Sequence, residues 1–287
     1  MGNNTREIRR RIKSSKNMQQ ITKAMKMVAA AKLRRAQTGV VAARPYTRKL
    51  NEVLGNLSTG EVSHPYMQAR EVKKVGYVVI AGNRGLCGGF NVNVFKRLEE
   101  AAAGQTNPYA LVVVGNKTRD YFKRRSVEIT SQFMNIGDNP SFGQAKELAR
   151  EISQLYTSEV FDEIYLVYTE FISAMSQNTV CKKLLPITDG VESAAGGNQD
   201  SATDYIFEPG EEELIETLMP QYLDVTVYTS LLEAKASEHG ARMTAMSSAT
   251  ENAAEVIRKL TLSLNRARQA AITTEISEIV SGADALA

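Results

Sequence analysis

Apolar positions recur at alternating steps of three and four along the last quarter of the chain. The series runs without a break from Leu218 to Ala271, through Met243, Met246 and Leu264. This spacing keeps one face of a helix apolar, and its repetition over many turns is typical of a coiled coil. It predicts a single helix over residues 211–281, which would extend roughly 105 Å at 1.5 Å per residue.

The N-terminal segment carries a second apolar seam. The same count runs from Leu33 to Leu57, and it is preceded by a stripe in a neighbouring phase, formed by Met18, Ile21, Met25 and Val28. Many seam positions in both segments are Ala, Thr or Met, which favours two slender, closely packed helices. We therefore expect a helix over residues 4–57 that lies antiparallel to the C-terminal helix.

The middle of the chain alternates between strand and helix patterns. Continuous apolar runs predict buried strands, and amphipathic stretches predict helices between them. The predicted strands are 75–81, 110–115 and 163–168, the predicted helices are 91–103 and 141–156, and 189–204 is predicted to be a loop. This order indicates a small Rossmann-like α/β domain.

The lengths of these segments define the predicted architecture. A compact chain of this size would have a radius of gyration near 19 Å, far less than the length of the C-terminal helix. We expect α/β plus a long antiparallel coiled coil, in which the terminal helices form a protruding shaft and the α/β domain a foot. The predicted domains are 1–58, 70–208 and 209–287.

Charge is distributed unevenly along the chain. Residues 1–50 carry fourteen Lys and Arg against Glu7 alone, while the whole chain has a net charge of only +3. The N-terminal helix is therefore expected to meet an acidic partner. Its recurrent charges also exclude the apolar core of a signal peptide, and no apolar run of about 18 residues predicts a membrane span.

Composition disfavours several classes of enzyme. The chain has two His, two Cys and no Trp. A zinc hydrolase or a His-centred triad would have few residues to draw on, and Cys87 and Cys181 are too far apart in sequence to indicate a disulfide framework. Isolated cysteines suit a reducing compartment, so an intracellular location is expected.

The sharpest local motif is the glycine-rich segment from Gly82 to Gly89, between a predicted strand and a predicted helix. Phosphates often bind at such turns. The glycines at 82, 85, 88 and 89 match neither the dinucleotide fingerprint nor the P-loop, and Phe90 and Asn91 stand where a P-loop requires Lys and Ser or Thr. A structural or partner-contacting loop is the favoured interpretation over a nucleotide site.

Other candidate groups have more ordinary explanations. Cys87 lies before a predicted helix, where a thiolate is favoured, but no histidine is near it in sequence. Glu275 and Glu278 share a helix face without a predicted pocket to raise a pKa, so solvated or partner-facing charges are expected. His239 falls on the seam and is expected to be packed.

Two other classes of function remain open on the residues alone. A basic helix can follow nucleic-acid phosphates, but this one lacks aromatic residues for base stacking, and a protein partner is favoured. A nucleotide-binding enzyme with a coiled-coil appendage would require nucleotide affinity of the isolated chain. Neither alternative has a supporting motif.

Several segments closely resemble the gamma subunit family of F-type ATP synthases. They are Arg11–Ser14, Gln20–Ala30, Arg44–Tyr46, Arg84–Gly89, Gly137–Pro140 and Ala267–Ala283. The resemblance covers essentially the whole chain. It implies a non-catalytic central-stalk rotor, whose shaft lies inside a ring of alpha and beta subunits and whose foot rests with epsilon on the membrane c-ring.

The resemblance also implies roles for particular residues. Positions expected to contact the catalytic ring are Met25, Lys26, Arg242, Arg268, Gln269, Thr273 and Glu275, and positions expected at the c-ring and epsilon are Tyr205 and Glu208. No cofactor, metal or nucleic acid is expected. The chain should associate with the cytoplasmic face of the cell membrane only through the complex, and the cysteine-bearing regulatory insertion of the chloroplast relatives is absent.

Overall fold

The structure is a computed structural model that describes residues 2–57, 64–187 and 210–284. Within these ranges the chain forms five helices and five strands. In chain order they are α1 (Gly2–Leu57), β1 (Val75–Ile80), α2 (Phe90–Ala103), β2 (Tyr109–Val114), α3 (Asn116–Lys123), β3 (Ile129–Phe133), α4 (Phe142–Thr157), β4 (Glu163–Phe171), β5 (Gln177–Leu185) and α5 (Glu211–Asp284).

The strands form one sheet in the order β3-β2-β1-β4-β5. The first four strands in this order are parallel, and β5 pairs antiparallel with β4. Every residue of the central strand β1 is buried, as its continuous apolar sequence predicts for a strand covered on both faces. The carboxyl ends of β1, β2 and β4 therefore lie at one edge of the sheet.

Alternate residues of the strands divide the core into two layers. Val78 and Ile80 pack on one face with residues of α1, α4 and α5. Tyr77 and Val79 pack on the other face with residues of α2 and α3. One stretch of α1 and one of α5 thus form part of the covering of the sheet, in addition to pairing with each other.

The chain divides into two compact units, and each terminal helix contributes to both. The helix-pair unit comprises residues 1–28 and 243–287, and the sheet unit comprises residues 29–242. Within the helix-pair unit the hydroxyl of Thr250 donates to Thr22 at 2.8 Å, and Lys26 donates to Ser247 at 2.9 Å. As the residue number rises from 22 to 26 on α1, the number of the partner residue falls from 250 to 247 on α5, so the helices run antiparallel.

The same antiparallel order holds within the sheet unit, where the hydroxyls of Thr47 and Thr229 are 3.3 Å apart. The predicted fold class, an α/β domain with an antiparallel pair of N- and C-terminal helices, is confirmed. The boundaries between the two units fall inside α1 and inside α5. The predicted domain boundaries at 58, 70 and 208 follow the ends of the secondary-structure elements instead, and they stay a prediction.

Three elements were not predicted from the sequence. They are α3, β3 and β5. The two missed strands lie at the edges of the sheet, and their residues alternate between half-buried and exposed or are polar over most of their length. Edge strands are covered less completely than central ones, so they lack the continuous apolar signal that marks β1 and β2.

Candidate functional site

The contact seam of the helix-pair unit differs in part from the predicted one. On α5 the predicted seam is confirmed, since Met246 is buried and Ala253, Ile257 and Leu260 are less exposed than their neighbours. On α1 the seam passes through Ile8, Ile12, Gln19 and Thr22 and leaves the stripe of Met18, Ile21 and Val28 facing solvent. A polar residue is accepted in the seam because Thr22 is hydrogen-bonded to α5.

The outer face of α1 in this unit is both apolar and basic. Met18, Ile21 and Val28, which we call the outer stripe, are each 55% exposed. Met25 is half-buried at the margin of this stripe, and Lys26 is exposed. Exposed lysines and arginines precede the outer stripe at 9, 10, 11, 13 and 16, and Lys23 lies within its span. A contiguous apolar surface with a charged rim indicates a contact surface for another protein.

The last turns of α5 extend past the start of α1. Gly2 lies twenty positions before Thr22, and Ala270 lies twenty positions after Thr250, so among the described residues α5 beyond about residue 271 has no α1 neighbour. The exposed apolar residues there recur at helical spacing and form what we call the tip stripe: Ile272, Ile276, Ile279 and Val280. Ile279 is 71% exposed.

The predicted contact residues near the tip lie on this segment or on the turn just before it. Arg268, Gln269, Thr273 and Glu275 are all exposed, and the hydroxyl of Thr273 donates to the Gln269 carbonyl one turn back. The structure therefore brings these four residues and the tip stripe together on one helix. Tyr205 and Glu208, and the whole of the predicted 189–204 loop, lie outside the described residues.

Arg242 lies in a different environment, at the carboxyl edge of the sheet. Its guanidinium donates to Glu238 Oε1 at 2.7 Å, and its side chain is only 13% exposed. Lys235, on the preceding turn of α5, donates to the second oxygen of the same carboxylate at 3.0 Å. Burial raises the pKa of Glu238, but Lys235 and Arg242 outweigh it and hold the pKa below its ordinary value.

His239 connects this cluster to a loop ahead of α4. Its Nδ1 lies 3.3 Å from Arg242 Nη1, and because arginine only donates, Nδ1 accepts and the ring proton sits on Nε2. Nε2 is 3.7 Å from Asp138 Oδ1, and Lys32 of α1 donates to the other oxygen of Asp138 at 2.6 Å. As predicted, His239 is packed in the seam. Burial lowers its pKa, so the neutral form is favoured.

The glycine loop, residues 82–89, lies against this cluster. The Gly82 amide donates to Asn91 Oδ1 at 2.9 Å, and the Gly85 carbonyl lies 3.4 Å from Arg242 Nη2. The first amide of the loop is therefore already hydrogen-bonded to a side chain, whereas the backbone amides of a phosphate-binding loop are free to donate to the ligand. Leu86 has a φ of 61° and is 65% exposed, an unusual conformation for a branched residue that holds its side chain outward.

Of the charges that hold the loop, only Arg242 was singled out from the sequence, by resemblance, whereas Lys235 and Glu238 were not. Lys235, Glu238 and Arg242 are spaced at i, i+3 and i+7, so they share one face of α5 beside the seam. Charged side chains so close to an apolar seam are a signal that could have found them, because such groups are rarely buried unless paired.

The remaining candidate residues, Cys87 and the pair Glu275 and Glu278, lie in opposite environments. Cys87 is buried, and burial raises the pKa of its thiol, which disfavours the reactive thiolate. Glu275 and Glu278 are exposed. Among the described residues no group of three or more His, Cys, Asp or Glu is arranged to hold a metal ion. In the same part of the chain, no helix combines the length and apolarity needed to cross a bilayer.

Comparison with known proteins identifies the family. The family model described as ATP synthase matches residues 4–286. Over 98% of both chains, the protein is 55% identical to the ATP synthase gamma chain of Desulfitobacterium hafniense and 54% identical to that of Moorella thermoacetica.

Solved structures agree with this assignment. The central stalk and c-ring structure of the Tetrahymena thermophila mitochondrial ATP synthase contains a chain 26% identical to this one. That match has a TM-score of 0.62 and covers 80% of this chain and 99% of the other. A chain of the Euglena gracilis mitochondrial ATP synthase, at 21% identity and a TM-score of 0.71 over 100% and 95% of the two chains, shares the fold. With its terminal helix pair, its α/β sheet and these full-length relatives, the protein belongs to the family of ATP synthase gamma chains.

Proposed function

We propose that this chain is the central-stalk rotor subunit of an F-type ATP synthase and transmits rotation between a membrane c-ring and a catalytic ring of alpha and beta subunits. The observation that carries the proposal is the helix-pair unit, whose outer stripe and tip stripe leave apolar side chains in solvent beside a row of cations. Such surfaces are stabilised when a partner covers them.

The partners differ along the chain in this proposal. Met25, Lys26, Arg268, Gln269, Thr273 and Glu275 contact the alpha and beta subunits, and Arg242 contributes at the edge of the sheet. Tyr205 and Glu208 meet the c-ring and epsilon. The chain is held at the cytoplasmic side of the membrane only through these partners, and it binds no nucleic acid and no cofactor.

The chain itself carries no catalysis in this proposal. Its glycine loop has an amide occupied by Asn91, its thiol Cys87 is buried, and no metal-binding group is present among the described residues. Nucleotide chemistry belongs to the beta subunits.

Rotation is coupled to chemistry through the asymmetry of the shaft. The outer stripe and its cations lie on one side of α1, whereas the opposite side is occupied by α5. Each angular position therefore offers different contacts to three otherwise equivalent beta subunits. A partner that binds two conformations with different free energies shifts the equilibrium between them, so turning the shaft changes the conformation of each beta subunit in sequence.

Reconstitution tests this function. A complex that lacks its gamma chain is combined with this chain in vesicles, and ATP hydrolysis and ion pumping are measured together. We expect the chain alone to hydrolyse no ATP, and the complete complex to hydrolyse ATP and pump ions. Turnover by the lone chain, free of beta subunit, or hydrolysis without pumping after full assembly, would contradict the proposal.

A further inference from the structure

The cluster formed by Lys235, Glu238 and Arg242 is costly as a purely structural device. Glu238 is 3% exposed and Lys235 is 4% exposed, so both charges are almost fully removed from water. Buried ion pairs of this kind often contribute less to stability than apolar side chains of the same volume. Their presence inside α5 therefore calls for a reason other than stability.

The contacts of Glu238 give that reason. Its Oε1 receives Arg242, and a Cβ placed on Gly82 would lie 3.1 Å from the same oxygen. The carboxylate is thus in close contact with the backbone at the start of the glycine loop. Arg242, fixed by this carboxylate, reaches the Gly85 carbonyl with Nη2.

The loop is held from the other side by α2. Asn91 accepts from the Gly82 amide and directs its own amide nitrogen to the Arg84 carbonyl at 3.4 Å and to Cys87 Sγ at 3.3 Å. The loop is thereby fixed between two helices, with Leu86 and Arg84 exposed. Leu86 has a positive φ, which a non-glycine residue keeps only where its surroundings impose it, whereas Gly88 adopts a positive φ without strain.

We propose that Glu238 is a positioning residue. By fixing Arg242 against Gly85, it keeps the glycine loop attached to α5, so that the loop turns with the helix when the stalk rotates. The inference rests on the proposed function for its consequence, since it assigns to the pair Glu238–Arg242 the transfer of torque between α5 and the glycine loop. Lys235 neutralises the remaining charge of the carboxylate and stabilises the arrangement.

The test compares Glu238→Gln with Glu128→Gln in the assembled ATP synthase. Gln keeps the shape of Glu238 but lacks the charge that holds Arg242. Glu128→Gln is the matched control, because it removes a carboxylate of the sheet unit that pairs with Lys74 in an exposed position. Amide hydrogen exchange of residues 85–88 and the ratio of ion pumping to ATP hydrolysis are measured for both variants.

In Glu238→Gln we expect exchange in the loop to rise about tenfold and the pumping ratio to fall by at least about twofold, with neither change in the control. Gly82→Ala provides a second variant that changes no charge, because its Cβ would lie 3.0 Å from Asn91 Oδ1 and 3.1 Å from Glu238 Oε1 and so would displace the loop from both side chains. It should change both quantities in the same direction.

The outcomes separate this inference from the function on which it rests. If the unmodified chain couples hydrolysis to pumping but Glu238→Gln has unchanged loop exchange and an unchanged ratio, the positioning role is wrong. A lower melting temperature of Glu238→Gln with both quantities unchanged has the same meaning. If the unmodified chain fails to restore pumping, the proposed function fails first. Faster loop exchange in Glu238→Gln would still support the attachment of the loop to α5.

Discussion

At the scale of single residues, Gly115 shows how a backbone position can fix the sheet edge. Its φ is 96°, and a Cβ there would lie 2.4 Å from the Ala81 carbonyl oxygen. Gly115→Ala is expected to destabilise the protein by about 2 to 4 kcal/mol, through backbone strain and this clash. Urea unfolding followed by circular dichroism measures the change.

Gly137→Ala is the matched control, because a Cβ at Gly137 meets no atom within 4 Å and its φ is not in the left-handed region. It should change the free energy of unfolding by less than about 0.5 kcal/mol. Equal effects of the two substitutions would contradict the role of Gly115.

His239 makes stability depend on pH. Burial lowers its pKa in the folded protein, so the unfolded chain takes up a proton more readily as the pH falls below about 6.5. Its contribution to the free energy of unfolding should therefore decrease between about pH 7 and pH 5. His239→Gln should lack this part of the slope in urea titrations. A slope in the variant equal to that of the unmodified chain would show that other groups cause it.

Met25 tests the contact assigned to the outer face of α1. Met25→Lys would add a cation beside the exposed Lys26, at the margin of the surface proposed to meet the acidic partner. An added charge contact of about 1 to 3 kcal/mol must be broken at each step, so coupling of hydrolysis to pumping should fall while assembly is retained. Met25→Leu should leave the pumping ratio intact. An unchanged ratio in Met25→Lys would place this position away from the stator.

At the scale of secondary-structure elements, the antiparallel helix pair gives a direct prediction. The hydroxyls of Thr22 and Thr250 are hydrogen-bonded, so cysteines at these positions should form a disulfide under mild oxidation, judged by gel mobility without reductant. Thr22→Cys combined with Ala271→Cys is the control, because antiparallel order places position 271 beside the start of α1. Preferential crosslinking of the control pair would refute the observed order.

The long helices and central strands were predictable because their apolar periodicity extends over many residues. The register of α1 before Ala29 was not, because hydrophobicity pointed to Met18 and Ile21 whereas the contact with α5 is made by Thr22. In the antiparallel pair, α5 keeps its predicted heptad seam, and the polar Thr22 is accepted in the α1 seam because it is hydrogen-bonded to Thr250. Sequence patterns do not record which apolar face meets a partner chain.

The candidate site was predictable only where the residues resemble the family. Arg242 was singled out in this way, but its contact with the Gly85 carbonyl was not, since that contact joins α5 to a loop more than 150 positions earlier in the chain. Such a connection between distant segments has no local signature. The exposed residues near the tip were placed by resemblance, and the structure adds that Thr273 and Glu275 lie on the segment of α5 that has no α1 neighbour among the described residues.

At the scale of the whole molecule, the tip stripe is expected to contribute to assembly with the catalytic ring. Ile276 and Ile279 are exposed in the free chain, and burying one aliphatic side chain contributes about 1.5 to 3 kcal/mol. The double variant Ile276→Asp and Ile279→Asp should bind the catalytic ring at least about tenfold more weakly, measured by gel filtration and titration, with an unchanged circular dichroism spectrum. Replacing both with Leu should preserve binding. Equal affinity of both double variants would remove the tip stripe from the interface.

The threonine pair in the seam shows that the two helices are held together by different interactions from those proposed to bind their partners. Thr22 and Thr250 join the helices through neutral hydroxyls, whereas the lysines and arginines at 9, 10, 11, 13, 16 and 23 of α1 are exposed to solvent. Dissolved salt screens exposed charges over about 10 Å at 0.1 M but has little effect on neutral hydrogen bonds and apolar packing. Higher ionic strength should therefore weaken the binding of acidic partners to the helix pair, while the contact between α1 and α5 is retained. The resistance to rotation could then change without a loss of rigidity in the helix pair.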